Sequence, residues 1–246
     1  MARPRKRHVQ LALPKRDKNG QRRGCSPHKR PGRPKQGRFA SERHEPRPRI
    51  SGRLPILITA RVSKAASNLR RRSVYHAIRR ALTTALVRTD FRIVHVSIQR
   101  THLHLLVEAD DHHALSRGMQ GFLISAARRI NGHTHQRGQV FPDRYHEDVI
   151  STPRHCRNMI RYVLNNWRRH GEDRGGLPAT WVLDPFSSAV NFGGWRELAH
   201  RDRLFPIPLG YERLPTSAPM TWLLTVGWRK HGAIAASDVP GPRPAT

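Results

Sequence analysis

The sequence predicts an α+β fold: a ferredoxin-like four-stranded antiparallel sheet with helices on one face, plus a further helix closing the domain. Three features lead there. Between residues 53 and 171, short β-branched apolar runs alternate with longer stretches of helical period in the order β-α-β-β-α-β-α. The two middle strands are separated by so little that only a tight hairpin joins them. The flanking stretches, 1–52 and 172–246, carry no sustained period, which confines the regular fold to the middle of the chain.

Each element has its own signal. L-P-I-L-I-T-A-R-V at 54–62 is a short apolar run bounded by Gly52 and Ser63, a buried strand. Residues 68–88 carry Leu69, Val74, Ile78, Leu82 and Leu86 at helical spacing with arginines between them, a basic amphipathic helix. F-R-I-V-H-V-S-I-Q (91–99) and T-H-L-H-L-L-V-E-A (101–109) are the hairpin strands. Asp110 or Asp111 caps a helix from about Ala114 to Asn131, with Leu115, Met119, Phe122, Leu123, Ala126 and Ile130 on its apolar side. Arg144 to Ser151 is the fourth strand. Thr152 as N-cap and Pro153 at the first helical position then open a helix that Gly171 closes. Helices packed on one face leave the other face of the sheet free to meet a ligand.

Charge narrows the partner. Lys and Arg total 46 against 17 Asp and Glu, a formal net charge of +29. The natural counterion of such an excess is DNA or RNA. No apolar run approaches the roughly 20 residues of a spanning helix. Nor does an apolar core follow the basic M-A-R-P-R-K-R-H start, so a cytoplasmic protein is expected. Cys25 and Cys156 stand far apart and without companions, which supports neither a disulfide framework nor a cysteine metal site.

Residues 1–52 are dense in Arg, Lys, Pro and Gly and read as a basic arm, largely disordered. Within it R-P-G-R-P-K (30–35) resembles the AT-hook of minor-groove binding peptides, which makes Arg30, Arg33 and Lys35 candidate DNA contacts. An Arg/Pro/Gly-rich tail also contains such a string by chance. Residues 172–246, rich in Gly, Pro and Trp, read as an irregular extension, partly packed.

The chemistry concentrates in two places. In T-H-L-H-L-L-V (101–107) strand alternation turns His102 and His104 the same way and Leu103, Leu105 and Val107 into the core. Two imidazoles about 7 Å apart along a strand can share an ion, although such a pair is ordinarily a solvated face. In the helix after Pro153, Ile160, Val163, Leu164 and Trp167 form the packing stripe, while Met159, Tyr162, Asn166 and Arg169 fall on a different face. Tyr162 and Asn166 stand one turn apart.

Together H-L-H-L-L at 102–106, D-R-Y-H at 143–146 and Y-V-L-N-N-W-R-R-H-G at 162–171 resemble the HUH single-tyrosine transposases, in particular the REP-associated tyrosine transposases, over about Leu54 to Gly171. The resemblance implies that His102, His104 and Asn166 hold a Mg²⁺ or Mn²⁺ ion and that Tyr162 is the nucleophile. Many relatives follow this asparagine with Pro, whereas this chain reads Asn165-Asn166-Trp167, so Asn165 is a weaker alternative ligand. The resemblance further implies a substrate of single-stranded DNA beside short imperfect hairpins, nicked and rejoined through a 5′-phosphotyrosine. A monomer and a helix-swapped homodimer both remain open.

Two other readings compete. A protein of this charge could bind nucleic acid without catalysis, although an RNA-binding sheet usually shows aromatics on its open face and the strands offer only Phe91 and Tyr145. A metal-dependent nuclease using activated water would draw on Asp143, Glu147 and Asp148 as further ligands.

Overall fold

The computed structural model describes residues 50–66, 68–174 and 181–241; the basic arm, with Arg30, Arg33 and Lys35, lies outside them. Strands Ile56–Arg61 (β1), Phe91–Ile98 (β2), His102–Ala109 (β3) and His146–Val149 (β4) form one antiparallel sheet in the order β2-β3-β1-β4. Helices Arg72–Ala85 (α1) and His112–Thr134 (α2) make the two crossovers, and Pro153–Arg169 (α3) follows β4. The fold class and element order are those expected from the sequence, with the ends adjusted. Asn68 sits at φ 71°, outside helical space, so α1 begins at Arg72. The Asp111 side chain accepts from Ala114 N at 2.7 Å and starts α2 two residues early; His135, at φ 53°, ends it. No helix among the described residues is long and apolar enough to cross a membrane.

One face of the sheet packs as predicted. Ile56, Ile58 and Ala60 of β1 and Leu103, Leu105 and Val107 of β3 meet Ile78 and Leu82 of α1 and Leu115, Met119 and Phe122 of α2. Gly118 lets α2 lie directly on the ring of Phe91, which a Cβ there would meet at 2.2 Å.

The opposite face is not free, which corrects the expectation of an open ligand-binding sheet. Cys156, Ile160, Val163, Leu164 and Trp167 of α3 are buried, and Leu183, Trp195, Leu223, Trp228 and Ile234 join the same core. The reason is visible in β3: alternation puts Leu106 on this side, and β2 adds Val94, the extra residue of a bulge between Ile93 and His95. Apolar groups there require a cover. The covering residues occur in irregular loops, short 3₁₀ turns and one four-residue helix, Trp222–Thr225, so they show no period in the sequence.

Polar anchors fix this cover. The outer edge of β2 is paired: Ile98 N donates to Phe186 O at 2.9 Å, Ser217 N to Ile93 O at 2.9 Å and Val96 N to Ser188 Oγ at 3.0 Å. Arg70 donates twice to the buried Asp184 carboxylate, at 3.0 and 2.8 Å. Glu108, fully buried on the α3 side of β3, accepts from Arg92 Nε at 3.1 Å and from the backbone N–H groups of Met220 and Thr221 at 3.0 and 2.8 Å.

Candidate active site

Cross-strand register builds a polar row on the α3 side of the sheet. Ser97 and Thr59 flank His104 on β2 and β1, and His146 of β4 lies opposite Thr59. His104 is buried, 2% exposed, yet both ring nitrogens have partners: Thr59 Oγ1 at 3.1 Å from Nδ1 and the Tyr162 hydroxyl at 3.2 Å from Nε2. Either hydroxyl can donate or accept. When Nδ1 carries the proton and donates to Thr59, Nε2 presents its lone pair toward Tyr162. The His102 ring lies 4.5 Å from that of His104 and 5.6 Å from that of His170, centroid to centroid.

Both sequence-predicted histidines are thus brought together with Tyr162, and both are held neutral. Burial lowers the His102 imidazole to about 4, assisted by the neighbouring His170 and the positive charge of Arg61. Burial lowers His104 further, to about 3, assisted by His102 and His170. A neutral imidazole is the form that ligates a metal.

α3 supplies the rest. The Thr152 side chain accepts from His155 N at 3.2 Å, and Pro153 occupies the first turn, so the helix begins where predicted. Its buried stripe docks on the sheet and turns Tyr162 onto the His104 ring, with centroids 4.9 Å apart. Burial raises the Tyr162 phenol above its ordinary value, against the opposing charge of Arg169 and the Asn166 amide.

Asn166 departs from expectation in one respect: it is not on a face that packing leaves alone but wholly buried, because residues 181–236 cover α3. Its amide lies close enough to favour the phenolate, but neither Oδ1 nor Nδ2 has a hydrogen bond of good geometry. A buried amide without partners costs about 1–3 kcal/mol, so an orphan here calls for a reason. Asn165 differs, because its Nδ2 donates to Ala235 O at 3.0 Å and ties α3 to its cover.

The carboxylates of the nuclease reading are not gathered with the histidines. Asp148 pairs with His155 at 3.4 Å, and Glu147 stands opposite Ile58, a residue of the α1/α2 core. Among the described residues no group of three or more His, Cys, Asp or Glu side chains is placed to hold an ion. A three-ligand site on His102 and His104 therefore needs an amide or a hydroxyl.

Sequence reasoning missed Thr59, Arg61 and His170. Register could have found the first two, since Thr59 faces His104 and Arg61 faces His102 across β1 and β3. His170 could have been found from its place one turn beyond Asn166.

Residues 58–166 match the family model described as IS200-like transposase. This stretch is an IS200-like transposase domain. The match opens inside β1 and closes on Asn166, so this domain takes in Thr59, His102, His104 and Tyr162 and stops short of His170 and the whole cover. Membership makes the domain one of a family of transposases, enzymes that act on DNA. Two solved structures resemble the chain distantly. One, described as a REP-associated tyrosine transposase bound to a REP hairpin, is 17% identical, covering 65% of this chain and 87% of that one, with a TM-score of 0.47. The other, a putative transposase from Deinococcus radiodurans R1, is 14% identical, covering 55% and 98%, with a TM-score of 0.33. Likeness at that distance carries no conclusion about the transposase domain. No curated protein matches the chain.

Proposed function

We propose that the transposase domain nicks and rejoins single-stranded DNA beside hairpins, with Tyr162 as nucleophile and with His102, His104 and Asn166 as ligands of Mg²⁺ or Mn²⁺. One observation supports this above the others: the Tyr162 hydroxyl lies 3.2 Å from Nε2 of a buried, neutral imidazole, beside a buried amide that makes no hydrogen bond of good geometry.

The residues fit such an ion. Two neutral imidazoles and an amide oxygen suit Mn²⁺ or Mg²⁺, and Thr59 would fix the His104 tautomer by accepting from Nδ1. When bound, the ion supplies Lewis-acid stabilisation of charge on the scissile phosphoryl group. Tyr162 loses its proton and its oxygen attacks phosphorus, forming the phosphotyrosine bond as the bond to the 3′ oxygen breaks; that oxygen leaves and ends as a hydroxyl. A phenol, with an ordinary pKa near ~10, leaves far more readily than an alkyl alcohol, so a DNA 3′-hydroxyl reverses the step without ATP. Arg169 opposes the burial that disfavours the phenolate.

The test is incubation of the full chain with a hairpin-bearing single-stranded oligonucleotide and Mg²⁺ or Mn²⁺, with adducts resolved on a denaturing gel. The wild type forms a covalent protein–DNA species and Tyr162→Phe does not. Cleavage that persists in Tyr162→Phe would show water to be the nucleophile and refute the proposal.

A further inference from the structure

Outside the transposase site, the described residues hold an aromatic cavity of about 290 Å³ at the β2 edge. Its principal walls are Tyr75 of α1, Trp181, Phe186 and Tyr211. The last three lie beyond the matched family segment, so the cavity is built by the cover of this particular chain. Tyr75 belongs to the α1/α2 core and Phe186 and Tyr211 pack against it, so the cavity is a recess whose aromatic floor is held rigidly by that core.

The rings are held for their faces rather than their hydroxyls. Tyr75 donates to Glu212 O at 2.7 Å and Tyr211 to Pro185 O at 2.9 Å, so both hydroxyls are engaged. The two tyrosine rings lie 6.0 Å apart at an interplanar angle of 33°. Phe186 meets the edge of Tyr75 at 5.4 Å, and the Arg70 guanidinium covers it at 4.5 Å from the ring centroid. One wall is a tight turn in which Tyr211 N donates to Pro208 O at 3.0 Å, with Gly210 at φ 74°, a conformation glycine adopts without strain. The mouth lies beside the exposed Arg72 and Leu209. Glu212 at the rim is engaged with Arg79 at 3.3 Å and His76 at 3.7 Å, which balances its charge.

Size, lining and charge point to one ligand class. The volume sits at the small end of ligand cavities, roughly 300–1,000 Å³, so it suits one flat ring system rather than a duplex. Aromatic walls without converging donors give stacking without base-edge readout, the mode by which proteins hold single strands. Arg72 at the mouth is placed to meet an adjoining phosphate, in a chain of net charge +29. The place is also suitable. Phe186 O caps Ile98 of β2, which pairs with Leu103 between the two histidines, so Phe186 stands two strand spacings, about 10 Å, from β3. At no less than about 3.4 Å per nucleotide, a single strand covers that in a few nucleotides.

We propose that this cavity receives one unstacked nucleobase of the single-stranded DNA, a few nucleotides from the scissile phosphate, and that Arg72 contacts the neighbouring phosphate. The proposal rests on the DNA-cleaving reading of the transposase site and adds to it a place where the strand is held.

The experiment uses the full chain and a hairpin-bearing single strand with 5-iodouracil at successive positions flanking the stem. Irradiation and peptide mapping are expected to give crosslinks to Tyr75, Trp181, Phe186 or Tyr211 from one or two adjacent positions. An abasic site at that position is expected to weaken wild-type binding about 5- to 100-fold, and to have less than about a twofold effect in Trp181→Leu, a substitution at a half-buried residue. DNA binding with crosslinks only elsewhere, or an equal abasic effect in both proteins, overturns the base site and leaves the catalytic reading standing. Failure to bind any strand overturns both.

Discussion

Replacing Asn166 by leucine tests the ligand assignment through the sign of its effect. The amide is fully buried and both of its polar atoms lack a hydrogen bond of good geometry. An unpaired buried amide costs about 1–3 kcal/mol, and leucine keeps the same branched shape without polar atoms, its methyl groups being larger than the amide's oxygen and nitrogen. In EDTA, Asn166→Leu is therefore expected to gain about 1–3 kcal/mol of stability, a rise in Tm of roughly 2–10 °C for a protein of this size. Binding of Mn²⁺, measured by calorimetry, is expected to weaken by at least about tenfold. Asn165→Leu provides the contrast: it removes the donor to Ala235 O and is expected to lose about 1–3 kcal/mol while retaining most Mn²⁺ affinity. The assignment fails if Asn166→Leu destabilises the metal-free protein by more than about 1 kcal/mol, because the amide would then have a structural partner. Unchanged Mn²⁺ affinity would sink it equally.

Three further outcomes are expected. Thr59→Val, nearly isosteric, removes the Nδ1 partner of His104 and should weaken Mn²⁺ binding by about 10- to 100-fold, with a melting temperature close to wild type as the control. Glu108→Ala leaves Arg92 and the Met220 and Thr221 N–H groups without their buried acceptor; the loss should be about 3–5 kcal/mol, and limited proteolysis should cut first near residue 220. The third concerns acid. Burial lowers His95 to about 4, so the folded state resists protonation that the unfolded chain accepts below about 6.5. Its contribution is present above pH ~6.5 and is lost as pH falls toward 4, at most about 3 kcal/mol. Urea midpoints in EDTA should fall over that window and fall less in His95→Gln; an equal slope in both proteins would remove His95 as a cause.

The parts of the site legible in the sequence were those set by local period. Strand alternation alone placed His102 and His104 on one side of β3, and the 3.6-residue period separated Tyr162 and Asn166 from the stripe of Ile160, Val163, Leu164 and Trp167. What local period could not show was the environment of those residues. Thr59 joins His104 only through a register spanning 45 residues, and the burial of Asn166 depends on a cover whose apolar residues sit among Gly and Pro at no fixed spacing. Leu106 and Glu108 carried a clue, since an open sheet face would expose a leucine and a carboxylate alternating with the two histidines; both are fully buried. The alternation was read as polar against apolar, when this face is itself half core.

That cover changes how α3 is held. Arg157 donates to Gly232 O and Ala233 O at 2.9 and 2.8 Å, Asn165 to Ala235 O at 3.0 Å, and Arg168 to Ala236 O and Val182 O at 3.0 and 2.7 Å. Side chains toward both ends of α3 thus grip backbone carbonyls of the segments that close over it. These bonds lie at either side of Tyr162, so the distance from its hydroxyl to His104 is set by the cover as much as by the sheet. On the proposed reading, a strand would reach Tyr162 from the end of β3, where His102 is half-buried and His170 exposed. That end also carries the β2–β3 turn, beside which the aromatic cavity stands.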